Sequence, residues 1–307
     1  MNRISRRRFI SISAAAALAG RPVSAASLRE FRGSALGARA TITLAHPDAD
    51  RIASDVFGEI ARLERVFSLF LPDSAISRLN AERVLRAPPP ELLECLSTCS
   101  TVHAATGGLF DPTVQPLWAL YARSHAGGKV PSEAEIDRTL QQVGWSGVTY
   151  DSREIRFEQD GMALTLNGVA QGYIADCVAD MLAGEGLDDI LVNTGEYRAL
   201  GGRPEGGGWP VVLDVGGERV GKENTLRDMS LASSSPTGTV FDARGEVGHI
   251  LDPRTGLSAQ SRWKLVSVLA PRAALADALS TAMCLMGPAE IRSALSGFQD
   301  VRLLHLG

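Results

Sequence analysis

The residues best suited to chemistry lie near the C-terminus of the chain. Asp277, Ser280 and Thr281 are spaced at i, i+3 and i+4, so a helix would place their oxygen-bearing side chains on one face. Hard oxygen ligands suit Mg²⁺, which usually combines a few protein oxygens with substrate phosphates. The same spacing is also typical of a helix whose Ser and Thr bond their own backbone and whose Asp pairs with an Arg. The spacing alone leaves both interpretations open.

A second segment, from Gly248 to Gly256, places a lone histidine in a predicted turn. His249 is followed by Asp252 and Pro253, and turns of this composition can direct side chains at a ligand. Imidazole titrates near neutral pH, which makes His249 a candidate general base. Asp252 is expected to shape the turn and not to take part in the chemistry.

The N-terminus has the pattern of an exported precursor. A run of three arginines, Arg6 to Arg8, precedes an apolar stretch over 10–18, and a small-x-small cleavage signal ends at Ala25. This predicts a twin-arginine signal peptide. The apolar stretch is about half of the roughly 20 residues that a membrane-spanning helix needs. We therefore expect residues 1–25 to be removed, residues 26–307 to form the mature domain, and that domain to act in the periplasm without stable membrane insertion.

Charge and cysteine content exclude several classes of function. The full chain has a net charge of −4, and loss of a signal peptide with five arginines and no acid leaves −9. An acidic protein is a poor partner for nucleic acid or for an anionic membrane surface. The four cysteines form no CxxC motif and no Cys/His cluster, which disfavours zinc, haem and redox-thiol chemistry. Cys95 and Cys99 lie one helical turn apart, where a disulfide would be strained.

Apolar periodicity predicts alternating helices and strands without internal repeats. Predicted helices begin after the cap Asp48, at Pro90 and at the capping box of Ser132, and cover 171–182 and 273–285. Predicted strands cover 40–44, 154–158, 163–166, 190–192, 209–215 and 265–270. This order is typical of an α+β fold with a mixed, largely antiparallel sheet. A mature chain of this length is near the upper limit for one core, so we expect a single catalytic domain with two lobes.

Five blocks of the sequence, in order, resemble the ApbE family of FAD:protein FMN transferases. The blocks run from Ser74 to Asn80, Gly107 to Val114, Asn167 to Tyr173, Gly248 to Gly256 and Asp277 to Thr281. They are similar to the family's Ser-x-Ile-Ser-x-x-Asn, Gly-x-Phe-Asp-x-Thr-Val, Gly-Gly-x-Ala-Lys-Gly-Tyr, His-x-x-Asp-Pro-x-Thr-Gly and Asp-Ala-x-x-Thr elements. The resemblance covers nearly all of the mature chain and implies an ApbE-like fold, related to the T-fold.

Two positions depart from the usual pattern of the family. Gln171 stands where a Lys is common, and Thr165 stands where an Asp is common. Gln171, together with the segment from Asn193 to Leu200, is similar to the NosX branch, which is associated with maturation of the nitrous oxide respiratory system. An amide keeps hydrogen-bonding capacity but loses the positive charge, so we expect FAD binding to be either weaker here or arranged differently.

The resemblance implies a reaction in which the FMN half of FAD moves to a Thr or Ser hydroxyl of a target protein and AMP is released. It implies Mg²⁺ as the metal and FAD as the substrate. It also implies an acceptor flavoprotein as the partner, for which a NosR-like membrane protein is one candidate. Two alternatives remain at this stage, namely a non-catalytic periplasmic FAD-binding or assembly factor and an FAD pyrophosphatase that releases FMN and AMP.

The resemblance also assigns site residues position by position. His249 matches the catalytic base, Asp277 and Thr281 match the metal ligands with Ser280 adjacent, and a backbone carbonyl near Gly168 is expected to complete the metal's protein ligands. The positions that match FAD contacts are Leu36, Phe70, Leu109, Phe110, Asp111, Thr165, Gln171 and Ile250. For Leu36, Phe70, Leu109 and Ile250, plain core packing is the competing interpretation.

Overall fold

The computed structural model describes residues 27–215, 218–260 and 263–307. The predicted signal peptide, residues 1–25, lies outside the described residues. Within the described ranges, no helix is long and apolar enough to cross a membrane.

The helices follow the predicted apolar periodicity closely where that periodicity is strong. The described helices are α1 (Ala49–Phe67), α2 (Ala75–Glu82), α3 (Pro90–Ala105), α4 (Gln115–Ala126), α5 (Glu133–Leu140), α6 (Ala170–Gly184), α7 (Ala273–Met283) and α8 (Pro288–Leu295). The capping box predicted at Ser132 is present, with the Glu135 carboxylate accepting from the Ser132 N–H. Asp48 precedes α1 as predicted, but its side chain makes no capping hydrogen bond.

The strands form three sheets, and all the pairings between described strands are antiparallel. The strands are β1 (Arg29–Ala35), β2 (Ala38–Leu44), β3 (Val84–Arg86), β4 (Val148–Tyr150), β5 (Glu154–Phe157), β6 (Ile190–Asn193), β7 (Tyr197–Leu200), β8 (Trp209–Val215), β9 (Glu218–Leu226), β10 (Ser230–Ser234), β11 (Val266–Ala270) and β12 (Arg302–Leu306). The largest sheet has seven strands in the order β1-β2-β6-β7-β10-β11-β12. The predicted α+β class and largely antiparallel sheet are confirmed.

The large sheet is covered on both faces, because successive residues of a strand point to opposite sides. On β6 and β10, Val192 and Ala232 enter the main core with the helices, whereas Leu191 and Leu231 enter a second core with the β8–β9 hairpin. A third, smaller core joins α4 and α5 to the loop around Leu251. This third core forms a lobe beside the main one.

The predicted strand over 163–166 is wrong, because the segment pairs with no described strand and a side chain occupies the backbone groups of Leu164. Asn80 donates through Nδ2 to Leu164 O at 2.9 Å and accepts through Oδ1 from Leu164 N at 2.7 Å. The amide therefore supplies both hydrogen bonds that a neighbouring strand would have made.

Several elements carry no periodicity that could have predicted them. The strand β9 is mostly exposed and mostly polar, with the sequence ERVGKENTL, so it lacks the alternation of a half-buried strand. The edge strand β1 is also largely exposed.

The cysteines are free thiols. Cys95 and Cys99 are buried and unbridged, which agrees with the strain expected of a disulfide between them. Cys284 is also buried, and Cys177 is half-buried.

Replacing Asn80 by Ala should destabilise the protein by about 2 kcal/mol or more, because it leaves the buried N–H and C=O of Leu164 without partners. The free energy of unfolding from denaturant titration measures the loss. Asn224→Ala is the control, since Asn224 donates an exposed bond to the Lys222 carbonyl, and it should change the free energy by less than about 0.5 kcal/mol. Equal effects of the two substitutions would contradict the role assigned to Asn80.

Candidate active site

The predicted polar face of α7 exists and is buried. Asp277 is 4% exposed and Ser280 is fully buried, and Thr281 is half-buried. The Ser280 hydroxyl donates to Asp277 O at 3.0 Å, so one part of the purely structural interpretation is correct. The predicted pairing of Asp277 with an Arg is wrong. Among the described residues no ion pair includes Asp277, and its carboxylate accepts from the Gly172 N–H at 3.2 Å.

A third hydroxyl, which the sequence did not suggest, completes this face. Ser234 lies at the end of β10, and its Oγ lies 2.7 Å from Ser280 Oγ and 3.2 Å from Thr281 Oγ1. The serine-rich run from Ser230 to Ser235 was the available signal, but serine-rich runs are more typical of loops. Three neutral hydroxyl oxygens therefore converge on the helix face that carries Asp277.

Gly168 lies against the same face, as the metal assignment requires. A Cβ placed on Gly168 would be 2.9 Å from Thr281 Oγ1 and 3.0 Å from Thr281 Cγ2. Only a residue without a side chain lets the backbone approach the hydroxyl this closely. The structure thus brings together the four residues proposed for the metal, Gly168, Asp277, Ser280 and Thr281.

Two acids share this buried region. Glu196, 7% exposed, accepts from the Ser233 N–H at 3.0 Å. Burial raises the pKa of Asp277 to about 7, although the Gly172 N–H opposes the shift. Burial and the neighbouring Asp277 raise the pKa of Glu196 well above its usual value. Neighbouring buried acids are unfavourable when ionised, and a bound cation relieves the cost.

The donor set fits Mg²⁺ and argues against softer metals. The described residues contain no group of three or more His, Cys, Asp and Glu side chains able to hold a metal. The cluster instead offers one carboxylate, neutral hydroxyls and the backbone near Gly168. Mg²⁺ accepts such a set because it keeps coordination positions for water and for substrate phosphates.

The loop that carries His249 is held by backbone and side-chain bonds. Nδ1 of His249 lies 3.0 Å from Thr239 O, and because a carbonyl only accepts, this bond assigns the ring proton to Nδ1 and the basic lone pair to Nε2. Val240 and Gly248 form an antiparallel bridge, and Ser258 Oγ donates to Gly248 O at 2.9 Å. A side chain at Gly248 would clash with the carbonyl of Pro236, so the loop requires glycine there.

Asp252 shapes the turn after His249, as predicted. Its carboxylate accepts from the backbone N–H of Arg254 at 2.8 Å and from the guanidinium of the same residue at 2.7 Å. Burial raises the pKa of Asp252, but the bonds from Arg254 outweigh it and hold the pKa below its usual value. Because its carboxylate is bound to Arg254, we interpret Asp252 as a residue that stabilises the turn.

A cleft of about 330 Å³ joins this loop to the end of α7. Its lining includes Asp252 and Ser258 on the loop side and Cys284 and Met286 on the helix side. The Cys284 thiol donates to Ser280 O at 3.4 Å. The cleft therefore lies between the loop that follows His249 and the C-terminal end of α7, and its described lining includes neither His249 nor the polar face.

The residues matched to FAD contacts fall into different environments. Phe70 is 76% exposed, so core packing does not explain it and a ligand contact stays a prediction. Leu109, Phe110 and Ile250 are buried in the main core. Leu36 is half-buried with a left-handed φ of 49°, and its N–H donates to Glu64 at 2.6 Å, which places it in a tight turn between β1 and β2.

Asp111 and Thr165 lie next to each other but support the local fold. The Asp111 carboxylate accepts from the N–H of Thr113 at 2.8 Å and from the N–H of Trp145 at 3.1 Å. The Thr165 N–H donates to Pro112 O at 2.8 Å. Both residues therefore anchor the segment in front of α4, and their predicted contacts with FAD remain predictions.

Gln171 contacts the segment that carries the NosX-like pattern. A Cβ on Gly195 would lie 2.6 Å from the side-chain nitrogen of Gln171, so the amide packs directly on the Gly195 backbone. The Thr194 hydroxyl donates to the Gln171 carbonyl at 2.7 Å. The two sequence features that resemble the NosX branch are thus in contact.

Comparison with known proteins identifies the family to which the chain is similar. A protein-family profile described as the ApbE family matches residues 36–304. The FAD:protein FMN transferase of Escherichia coli K12 is 26% identical over 238 residues, which span 73% of this chain and 68% of that protein. The FAD:protein FMN transferase of Haemophilus influenzae is 27% identical over 264 residues, which span 81% of this chain and 74% of that protein.

The fold is also similar to a solved structure. The apo crystal structure of the flavinyl transferase ApbE from Pseudomonas stutzeri superimposes with a TM-score of 0.77 at 26% sequence identity. The alignment covers 90% of this chain and 89% of that chain. The expected ApbE-like fold is therefore confirmed.

Proposed function

The chain belongs to the ApbE family, and we propose that it transfers the FMN moiety of FAD to a Thr or Ser hydroxyl of another protein and releases AMP. The observation that carries the proposal is the buried face of Asp277, Ser280 and Thr281, with Gly168 packed against Thr281. Relatives named FAD:protein FMN transferase support the same reaction.

The metal site would be built by Asp277 and Thr281, with Ser280 and the backbone near Gly168 beside them. Mg²⁺ bound there would supply positive charge to the pyrophosphate oxygens of FAD as AMP leaves. Ser234 orients the two hydroxyls through its bonds of 2.7 and 3.2 Å. The Gly172 N–H fixes one carboxylate oxygen of Asp277.

His249 is the proposed general base. The Thr239 carbonyl holds Nδ1–H, so Nε2 is the nitrogen that accepts the proton of the acceptor hydroxyl. The hydroxyl oxygen then bonds to the FMN phosphorus, and the bond from that phosphorus to the AMP oxygen breaks. This assignment gives the base a fixed tautomer before the substrate arrives.

The cellular setting follows from the N-terminal pattern. We propose that the chain is exported by the twin-arginine pathway and works in the periplasm on an acceptor flavoprotein, with a NosR-like membrane protein of nitrous oxide respiration as one candidate. Cell fractionation tests the export route: a precursor in which Arg7 and Arg8 are both replaced by Lys should stay in the cytoplasm. Export of that variant at the normal rate would contradict the route.

The direct test is to incubate the protein with FAD, Mg²⁺ and the candidate acceptor. Mass spectrometry of the acceptor should show the added mass of FMN, together with an equal amount of AMP. Free FMN in place of the modified acceptor would identify a pyrophosphatase. Bound FAD without turnover of any kind would identify a binding or assembly factor.

Asp277→Ala should abolish metal-dependent transfer and leave the protein folded. The neutral oxygens that remain are poor partners for a hard cation without the carboxylate. The measurement is FMN incorporation against Mg²⁺ concentration, with circular dichroism to confirm folding. Asp137→Ala, which removes an exposed acid of α5, is the control and should transfer normally. Full activity of Asp277→Ala at ordinary Mg²⁺ would refute the metal assignment.

His249→Ala should keep FAD binding and lower the rate of transfer by about 10²- to 10⁴-fold, as expected for loss of a general base. Flavin fluorescence measures binding, and single-turnover incorporation measures the rate. His46→Ala is the control, because the His46 ring accepts from the Asp48 N–H in its own turn, just before α1. If binding collapses while the rate per bound flavin stays normal, His249 is a ligand contact and not the base.

A further inference from the structure

Helices α6 and α7 exchange hydrogen bonds in a reciprocal pattern. Asp176 on α6 accepts from the first two N–H groups of α7, those of Ala273 and Ala274, at 2.9 Å each. Asp277 on α7 accepts from the N–H of Gly172, in the first turn of α6, at 3.2 Å. Each helix therefore sends a carboxylate into the N-terminal turn of the other.

This exchange replaces ordinary capping. The residues that precede the two helices are Val169 and Arg272, and in the described part of the chain neither side chain caps its own helix. The first N–H groups of a helix lack partners within it, and a carboxylate near them is favourable. Each helix end thus takes a carboxylate partner from the other helix, although the Ala170 N–H of α6 also donates to Leu166 O.

The exchange also sets the position of the metal face. Ala273 and Asp277 are spaced at i and i+4 on α7, and Gly172 and Asp176 are spaced at i and i+4 on α6, so each pair lies on one helical face. A side chain at Gly172 would clash with the Ala273 carbonyl, which shows how closely the helices approach. Asp176 binds the backbone of α7 one turn before Asp277, the proposed metal ligand.

Asp176 is itself held firmly. It is 1% exposed, and the guanidinium groups of Arg272 and Arg198 lie 3.4 and 3.7 Å from its oxygens. At these distances the two cations compensate the charge of the carboxylate, and the N–H groups of Ala273 and Ala274 set its orientation. A carboxylate compensated in this way can position a helix without needing a ligand of its own.

We propose that Asp176 is a positioning residue for the metal site: it anchors the N-terminus of α7 so that Asp277 and Thr281 face Gly168 with the spacing that the metal needs. The inference rests on the metal site of the proposed function. It assigns to Asp176 a role in metal affinity and no contact with metal or substrate. Loss of the anchor lets α7 rotate or slide against α6 and weakens the ligand geometry.

The test compares Asp176→Asn with Asp180→Asn in the full mature chain. Asn at 176 keeps the shape but loses the charge and one of the two accepting oxygens. Asp180 lies one turn further along α6, is exposed, and binds the guanidinium of Arg272 in place of the α7 backbone. Both substitutions remove a carboxylate next to Arg272, but only Asp176→Asn also removes an acceptor of the α7 backbone N–H groups.

The principal readout is Mn²⁺ binding in the presence of FAD, followed by electron paramagnetic resonance of the free ion. Asp176→Asn should raise the Kd for Mn²⁺ about tenfold or more, and Asp180→Asn should leave it within about twofold. Excess Mn²⁺ should restore most of the FMN transfer of Asp176→Asn. Thermal unfolding followed by circular dichroism establishes that both variants are folded at the temperature of the titration.

Unchanged Mn²⁺ affinity in Asp176→Asn would overturn the inference, as would an equal loss in both variants. Should Asp176→Asn fail to fold, Asp176→Glu supplies the same comparison, because it keeps the charge but moves the carboxylate by one methylene. A parent protein that binds Mn²⁺ but transfers no FMN would refute the proposed function and leave this comparison valid. A parent protein that binds no Mn²⁺ would refute the inference together with the metal site.

Discussion

The contact between α6 and α7 is the constraint on which the candidate site depends. It requires glycine at 172, because the Ala273 carbonyl occupies the space of a side chain, and the carboxylates of Asp176 and Asp277 accept from N–H groups of the opposing helix. The helices lie against β7, β10 and β11, so the large sheet fixes their common orientation. Moving either helix would separate Gly168 from Thr281, since one precedes α6 and the other belongs to α7.

The acids of this region illustrate how burial distinguishes a structural carboxylate from a functional one. Asp176 has two N–H donors and two nearby guanidinium groups, and these oppose the rise in pKa that its burial causes. Asp277 is met by the Gly172 N–H, and Glu196 by the Ser233 N–H. Charges compensated this weakly are costly in a protein interior. A bound cation would compensate the negative charge of Asp277, whereas Arg198 and Arg272 already compensate that of Asp176.

The sequence predicted the elements whose pattern is local and missed the contacts that join distant segments. The strong periodicity of α1 and the capping box at Ser132 predicted those helices correctly, and the spacing of Asp277, Ser280 and Thr281 predicted a polar face on α7. Nothing local could place Ser234 beside Thr281, because 47 residues separate them and the pairing arises only when β10 packs on α7. Asp176 was equally hidden within an apolar helix, since its partners begin 97 residues later. The error over 163–166 has the same origin, because a side chain 84 residues away supplies the strand-like bonds.

The proposed metal ligands and the proposed general base lie on different kinds of element, which suits their different tasks. Metal ligands must hold distances within a few tenths of an ångström, and the proposed ligands lie on a buried helix fixed by reciprocal bonds, where rigid elements give the precision that ligand geometry requires. A general base must reach a hydroxyl brought by another protein, so it needs access more than burial. His249, the proposed base, lies half-buried on a loop, and its Nδ1 is held by the Thr239 carbonyl. The aromatic ring of Phe241 packs on Trp118 and Tyr121 of α4, and this contact ties the loop to the smaller lobe. The small lobe therefore limits the freedom of the loop that carries the proposed base.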